Sequence, residues 1–219
     1  MTKLYIYDPA PNPRRLALFL AYKGIQLPTQ QVNLKQGEQF SDSFMEINPR
    51  CTVPALQLDD GTVLCEVIAI CWYLEHRYPQ APLLGTNPVQ QAQVLMWDQY
   101  VCTDGFFAVA EALRNGNPAF KDRALTGPVR FAQISALEAR GRQRFRLFCT
   151  RLEEHLVGRD FLVGDGITLA DVDAYVLVGF AAWIHEQIPE ECLHLANWRR
   201  RVGALLEPRG AGHGARGVP

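Results

Sequence analysis

No two cysteines in this chain are spaced as CxxC, and none stand at a metal-ligand spacing. The six are Cys51, Cys65, Cys71, Cys102, Cys149 and Cys192, mostly inside apolar runs where a free thiol behaves as a small hydrophobe. A dithiol redox motif and a zinc site are therefore not expected, and the pattern suits a reducing compartment. There is also no long basic run, and the formal net charge is −1. Binding of nucleic acid through its phosphates is not expected. The local cluster Arg140, Arg142, Arg144 and Arg146 alternates with Phe145, Leu147 and Phe148 and reads as the wet face of an amphipathic helix. No stretch reaches the roughly 18 apolar residues of a membrane span, and Met1-Thr2-Lys3-Leu4 lacks a signal-peptide layout. The expectation is a cytoplasmic protein that does not associate with a membrane.

What is present is ordinary globular material. The chain has 219 residues, 48% apolar and 21% charged, enough for a sizeable core in one large domain or two small ones. Lys3 to Tyr7 alternate like a strand. The proline-rich turn Asp8–Pro13 follows, then a helical pattern over Arg14–Lys23 that stops at Gly24. Leu27–Leu34 can form a second strand and Ser41–Ile47 a short helix. Pro54–Leu58 and Val63–Cys65 flank the turn Asp59-Asp60-Gly61, a hairpin signal. Glu66–Tyr78 reads as a helix ended by Pro79. A helix-separated strand pair implies parallel pairing and a tight hairpin antiparallel pairing, so the sheet should be mixed and four-stranded. This order matches the thioredoxin fold.

Pro79, Pro82, Gly85 and Pro88 mark a linker. Beyond it the pattern is helical throughout, over Pro88–Arg114, Pro128–Leu156, Thr168–Ile188 and about Glu190–Leu206. The expected organisation is an α/β thioredoxin-like domain over residues 1–80, a linker over 81–91, and an all-α domain over 92–207. Residues 208–219 carry four glycines and little to bury, so a disordered tail is expected.

The most specific stretch is Asn48-Pro49-Arg50-Cys51-Thr52-Val53-Pro54-Ala55-Leu56, followed by a helix start at Glu66-Val67. A Val-Pro step before a strand is a natural place for a cis peptide bond. It would turn the Val53 backbone outward, where a short peptide could pair as an added strand. The free N–H groups at the helix start would suit the peptide's carboxylate, and Glu66 would meet its α-ammonium. Together these features describe a receptor for a small zwitterionic peptide.

On these residues the chain resembles the cytosolic glutathione transferases, in particular bacterial theta-like or nu-like members, to about residue 207. Pro11-Asn12-Pro13-Arg14-Arg15 through Gly24-Ile25 is similar to the family's first helix. Gly164-Asp165-Gly166-Ile167-Thr168-Leu169-Ala170-Asp171-Val172 is similar to its buried helix start. Physically, Thr168 and Asp171 form a capping box and Ile167 and Val172 a hydrophobic staple. Loss of Asp171 as a cap alone should cost about 0.5–2 kcal/mol.

The resemblance implies glutathione as co-substrate, a small apolar electrophile, no metal, and a homodimer. It places glutathione at Val53 and cis Pro54, Glu66 and Val67, with Gln39 and Thr52 near the glycyl carboxylate. Two departures stand out. Val67 replaces the usual serine, which removes a hydroxyl donor worth roughly 1.5–3 kcal/mol to a charged acceptor. The serine that theta-like relatives place before the first helix is here Pro11, and no Ser, Thr or Cys lies between Tyr5 and Arg15. The remaining donors to a thiolate are Asn12, backbone N–H groups at the helix start, and Tyr7. Asn12 reads equally well as an N-cap before an N1 proline, and Tyr7 as the end of the first strand. Cys51 would be redox-active if exposed. Tyr100, Asp104 and Phe107, with Pro11, are implied to border the electrophile, although this helical stripe also suits core or dimer surface. Three functions stay open: a transferase, a glutathione-dependent disulfide reductase, and a binding protein that keeps the fold without the chemistry.

Overall fold

A computed structural model describes residues 1–207; the expected disordered tail lies outside the described residues. The chain divides into two compact units, Met1–Ala81 with Leu125–Phe131, and Pro82–Ala124 with the chain from Ala132 onward.

The first unit is built on strand β1 (Lys3–Ile6), helix α1 (Pro11–Lys23), β2 (Thr29–Gln31), a short helix α2 (Asp42–Met45), the hairpin β3 (Ala55–Gln57) and β4 (Val63–Cys65), and helix α3 (Val67–Arg77). The strand order is β2-β1-β3-β4. β1 runs parallel to β2 and antiparallel to β3, and β3 is antiparallel to β4. Alternation along the strands divides the core. Leu4 pairs in register with Leu56, and both are closed off along with Leu16 and Phe19 of α1 and Ile70 and Leu74 of α3. Tyr5 pairs with Ala55 and belongs to a separate cluster with Val32, Phe44 and Val53.

α1 begins three residues earlier than its apolar pattern indicates. Ala10 is the N-cap, and Pro11 occupies the first turn, where a missing N–H costs nothing. At its other end Gly24 adopts the left-handed conformation (φ 67°) and Lys23 points inward. The Lys23 ammonium is fully enclosed and donates to Glu75 Oε2 at 2.7 Å and to the Gln80 and Ala81 carbonyls at 2.7 and 3.2 Å. A buried cation is tolerated because it is paired and hydrogen-bonded.

The second unit is helical: α4 (Pro88–Tyr100), a π-helical stretch Val101–Phe106, α5 (Phe107–Gly116), α6 (Ala136–His155), α7 (Leu169–Phe180) and α8 (Leu193–Leu206). α6 starts eight residues later than Pro128. α7 is apolar almost all round and buries Leu169, Ala170, Val172, Ala174 and Leu177, as a central helix must. α6 packs on α5 at Gly141, where a Cβ would stand 2.5 Å from the Ala108 carbonyl oxygen. The arginines of α6 are paired with acids rather than exposed as a bare patch: Arg140 with Glu111, Arg142 with Glu138, Arg146 with Glu186.

The capping box at Thr168 is present, but Asp171 does more than cap. Its carboxylate is fully enclosed and accepts from the backbone N–H groups of Leu162 and Thr168, the Thr168 hydroxyl, and the Trp198 indole N–H, each at 2.9 Å. Burial pushes its carboxyl above the ordinary range, against the pull of those four donors.

Candidate glutathione site

The loop Asn48–Pro54 carries the candidate residues Cys51, Thr52, Val53 and Pro54, and its shape follows from one side chain. Asn48 is 1% exposed. Its amide Nδ2 donates to the Thr52 carbonyl at 2.8 Å and to Thr52 Oγ1 at 3.1 Å, and its Oδ1 accepts the Arg50 N–H at 3.1 Å. Cys51 closes the loop in the left-handed conformation (φ 54°), with its N–H on the Asn48 carbonyl. Sequence reasoning passed over Asn48. An Asn two residues before a bonded N–H is the Asx-turn signal that identifies it.

This loop holds two residues named above, Thr52 and Cys51. The Thr52 hydroxyl oxygen is engaged with Asn48. Cys51 is buried, and burial pushes its thiol up, away from the thiolate that redox chemistry needs. The Val53–Pro54 peptide bond is cis. Val53 is itself buried in the cluster with Tyr5 and Phe44, and Tyr7 packs on that same cluster just beyond β1.

Glu66 directly precedes α3 with φ 71° and ψ 130°, a sparsely populated conformation for a residue with a side chain. Such strain is found where function requires it. Its carboxylate reaches solvent and lies 3.7 Å from the Arg50 guanidinium. The first N–H groups of α3 have no partner within the helix. Val67 is 3% exposed, so its side chain offers nothing at the surface where a serine hydroxyl would stand. Gln39 is 4% exposed, and its amide oxygen is buried without a hydrogen-bond partner.

At α1 the sequence reading of Asn12 as N-cap is overturned. Ala10 holds that position and Asn12 lies within the first turn. Pro11 and Pro13 have no N–H, and the Arg14 N–H is used on the Ala10 carbonyl at 3.1 Å. Of the first three helical residues only Asn12 therefore brings a backbone N–H to this end. Its side chain is exposed, and its Oδ1 accepts from Arg15 Nη1 at 3.3 Å. Arg15 is a buried cation, 4% exposed. With the oxygen turned to Arg15, the two amide protons face away from it.

In the helical unit, Tyr100 (45% exposed) and Phe107 (63%) are on the surface, with Leu95 and Met96 of α4. Asp104 is paired with Arg151 at 2.9 Å. The π-helical stretch between Tyr100 and Phe107 breaks the 3.6-residue period on which their common stripe rested. Arg144 donates to the Thr103 carbonyl within it at 2.5 Å.

A model of the glutathione S-transferase N-terminal domain matches residues 10–77, and one of the C-terminal domain matches residues 131–205. The chain is 31% identical to glutathione S-transferase 2 of Saccharomyces cerevisiae, across 91% of its length and 85% of the yeast protein. This chain belongs to the glutathione S-transferase family. Another relative of the transferase chain is protein LigF of a Sphingobium species, 33% identical over 92% of this chain and 89% of that protein. A crystal structure of a glutathione S-transferase domain-containing protein from Marinobacter aquaeolei superposes with a TM-score of 0.85 at 30% identity, covering 92% of this chain and 97% of that one. Among the described residues of this transferase no group of three or more His, Cys, Asp or Glu is placed to hold a metal, and no helix is long and apolar enough to cross a membrane.

Proposed function

We propose that this family member is a glutathione transferase: it binds glutathione on its first unit and promotes attack of the thiolate on a small apolar electrophile. Membership of the family supports the reaction class. One observation carries the assignment of the site, the exposed Glu66 carboxylate held in a strained conformation directly before the first turn of α3. A carboxylate beside unpaired helical N–H groups matches the ammonium and carboxylate of a γ-glutamyl end. Val53 pairs its backbone with the cysteinyl residue next to cis Pro54, while Gln39 and Thr52 lie toward the glycyl end. Of the two, Thr52 keeps its hydroxyl proton for a carboxylate, because its Oγ1 only accepts from Asn48, whereas the unpartnered atom of Gln39 is an amide oxygen and cannot donate.

The chemistry needs thiolate near neutral pH, and a free thiol titrates near 8.5. Asn12 is placed to favour the anion with a backbone N–H, two amide protons and the positive end of α1. The thiol proton passes to water. The sulfur then forms a bond to the electrophilic carbon, and the leaving group departs with its electron pair. Tyr7, packed on the apolar cluster, is a secondary donor at most. The surface side chains Tyr100 and Phe107 of the second unit are assigned to the apolar electrophile; Asp104 is less suited because Arg151 occupies it. A homodimer agrees with the exposed Leu95 and Met96 of α4, and light scattering should give twice 24.6 kDa.

Turnover with a chloronitrobenzene electrophile and with a small disulfide tests the reaction. Faster turnover of the electrophile is expected. Turnover of the disulfide alone would make the protein a reductase, and turnover of neither would make it a binding protein.

A further inference from the structure

Val67 removes a hydroxyl that would receive a carboxylate, yet a guanidinium stands close by. Arg50 lies on the loop that Asn48 fixes from within, so its backbone is held by bonds to a buried side chain. Its Nη2 is 3.7 Å from Glu66 Oε1, and the two side chains are 73% and 62% exposed. At that separation the charges attract but share no hydrogen bond. Both groups therefore keep their hydrogen-bonding capacity for a third party.

An α-amino acid carries its ammonium and its carboxylate on one carbon. An acid and a base side by side on one rim are complementary to that pair. The Glu66 carboxylate suits the ammonium, and a guanidinium suits a carboxylate through two parallel N–H donations. A ligand that inserts between them replaces one loose, solvent-screened ion pair with two charge-assisted contacts.

We propose that Arg50 receives the α-carboxylate of the γ-glutamyl end, in place of the hydroxyl that Val67 lacks, and so sets the preference for a zwitterionic terminus. This rests on the glutathione reading above and adds a specificity-determining residue to it. The side chain of Arg50 is mostly in solvent, so its replacement leaves the packed core untouched.

The test is titration calorimetry of the full chain and its Arg50→Gln variant with two probes. One is glutathione. The other is 4-aminobutanoyl-cysteinylglycine, which keeps the ammonium and lacks the α-carboxylate. The unmodified protein should prefer glutathione by about tenfold, the lower range for a hydrogen bond to a charged group. Arg50→Gln should lose up to about tenfold in glutathione affinity while its affinity for the analogue changes by less than about twofold, and the preference that remains is that of the α3 N–H groups. Arg50→Lys, which keeps the charge without the fork, should fall between. Adding Val67→Ser to Arg50→Gln should recover part of the loss. If Arg50→Gln binds glutathione as the unmodified protein does, or keeps its full preference, Arg50 has no such role while the glutathione site stands. If the unmodified protein binds neither probe at millimolar concentration, the glutathione reading falls and the role of Arg50 with it.

Discussion

In the proposed reaction Asn12 bears most of the chemical burden, because its neighbours are prolines. Two of the three N–H groups that open a helix are missing at α1, and the family's usual serine is replaced by Pro11. What is left is one residue with a backbone donor and an amide held by a buried guanidinium. Asn12→Ala should lower kcat by about tenfold to a hundredfold, the scale for losing a hydrogen bond to a charged group. KM for glutathione should change by less than twofold, since the contact is to the sulfur and not to the peptide ends. Steady-state kinetics with the chloronitrobenzene electrophile decide this; a kcat within twofold of the unmodified protein would reduce Asn12 to a surface residue. The place of Asn12 in the helix was not legible in the sequence. Asn12-Pro13 reads as N-cap followed by N1 proline, whereas α1 starts at Pro11 with Ala10, a residue without a capping side chain, as its N-cap.

Asp171 illustrates what a single element discloses and what it hides. The capping box is local, three residues apart, and could be read directly. The bond from Trp198 comes from 27 residues away and the bond from Leu162 from a loop, and no pattern along the helix announces them. Asp171→Ala should therefore cost about 3–5 kcal/mol, at roughly 1–3 kcal/mol for each buried donor left without a partner. That is above the cost of a lost cap alone, and corresponds to a fall of about 10–25 °C in Tm for a unit of this size. A loss under about 2 kcal/mol by denaturant titration would show that the buried bonds add nothing to the cap. The π-helical stretch and the late start of α6 were likewise invisible in the sequence, since both are set by what packs against them.

Two ion pairs of α6 reach distant parts of the chain, Arg140 to Glu111 of α5 and Arg146 to Glu186 in the loop before α8. Glu186 is 8% exposed and accepts from Arg146 at 2.7 and 2.9 Å, and that hydrogen bonding holds its carboxyl below its ordinary value of 4.5. A lowered folded pKa gives stability that is present above the unfolded value and is lost as pH falls through the folded one. Glu186→Gln should cost about 1 kcal/mol at neutral pH, and the gap to the unmodified protein should close as pH drops below 4.5. Denaturant titrations at neutral pH and at about pH 3 measure it; a gap that persists in acid would mean that packing, not charge, is lost.

At the scale of the whole chain, the order of strands and helices was legible because each signal is local: alternation, a hairpin turn, proline stops. The two motifs that mark the family, Val53-Pro54 with Glu66 and the helix start at Thr168, lie one in each unit. Less legible was the rim of the site, where Asn48, Arg50 and Arg15 act through three-dimensional neighbours. In the proposed site Glu66 anchors glutathione on the first unit. Calorimetric titration of the unmodified protein and of Glu66→Ala with glutathione is the decisive experiment. Binding in the micromolar to millimolar range is expected, weakening by about tenfold or more when Glu66 is removed; equal affinity in the two proteins would mean that Glu66 holds no part of the ligand.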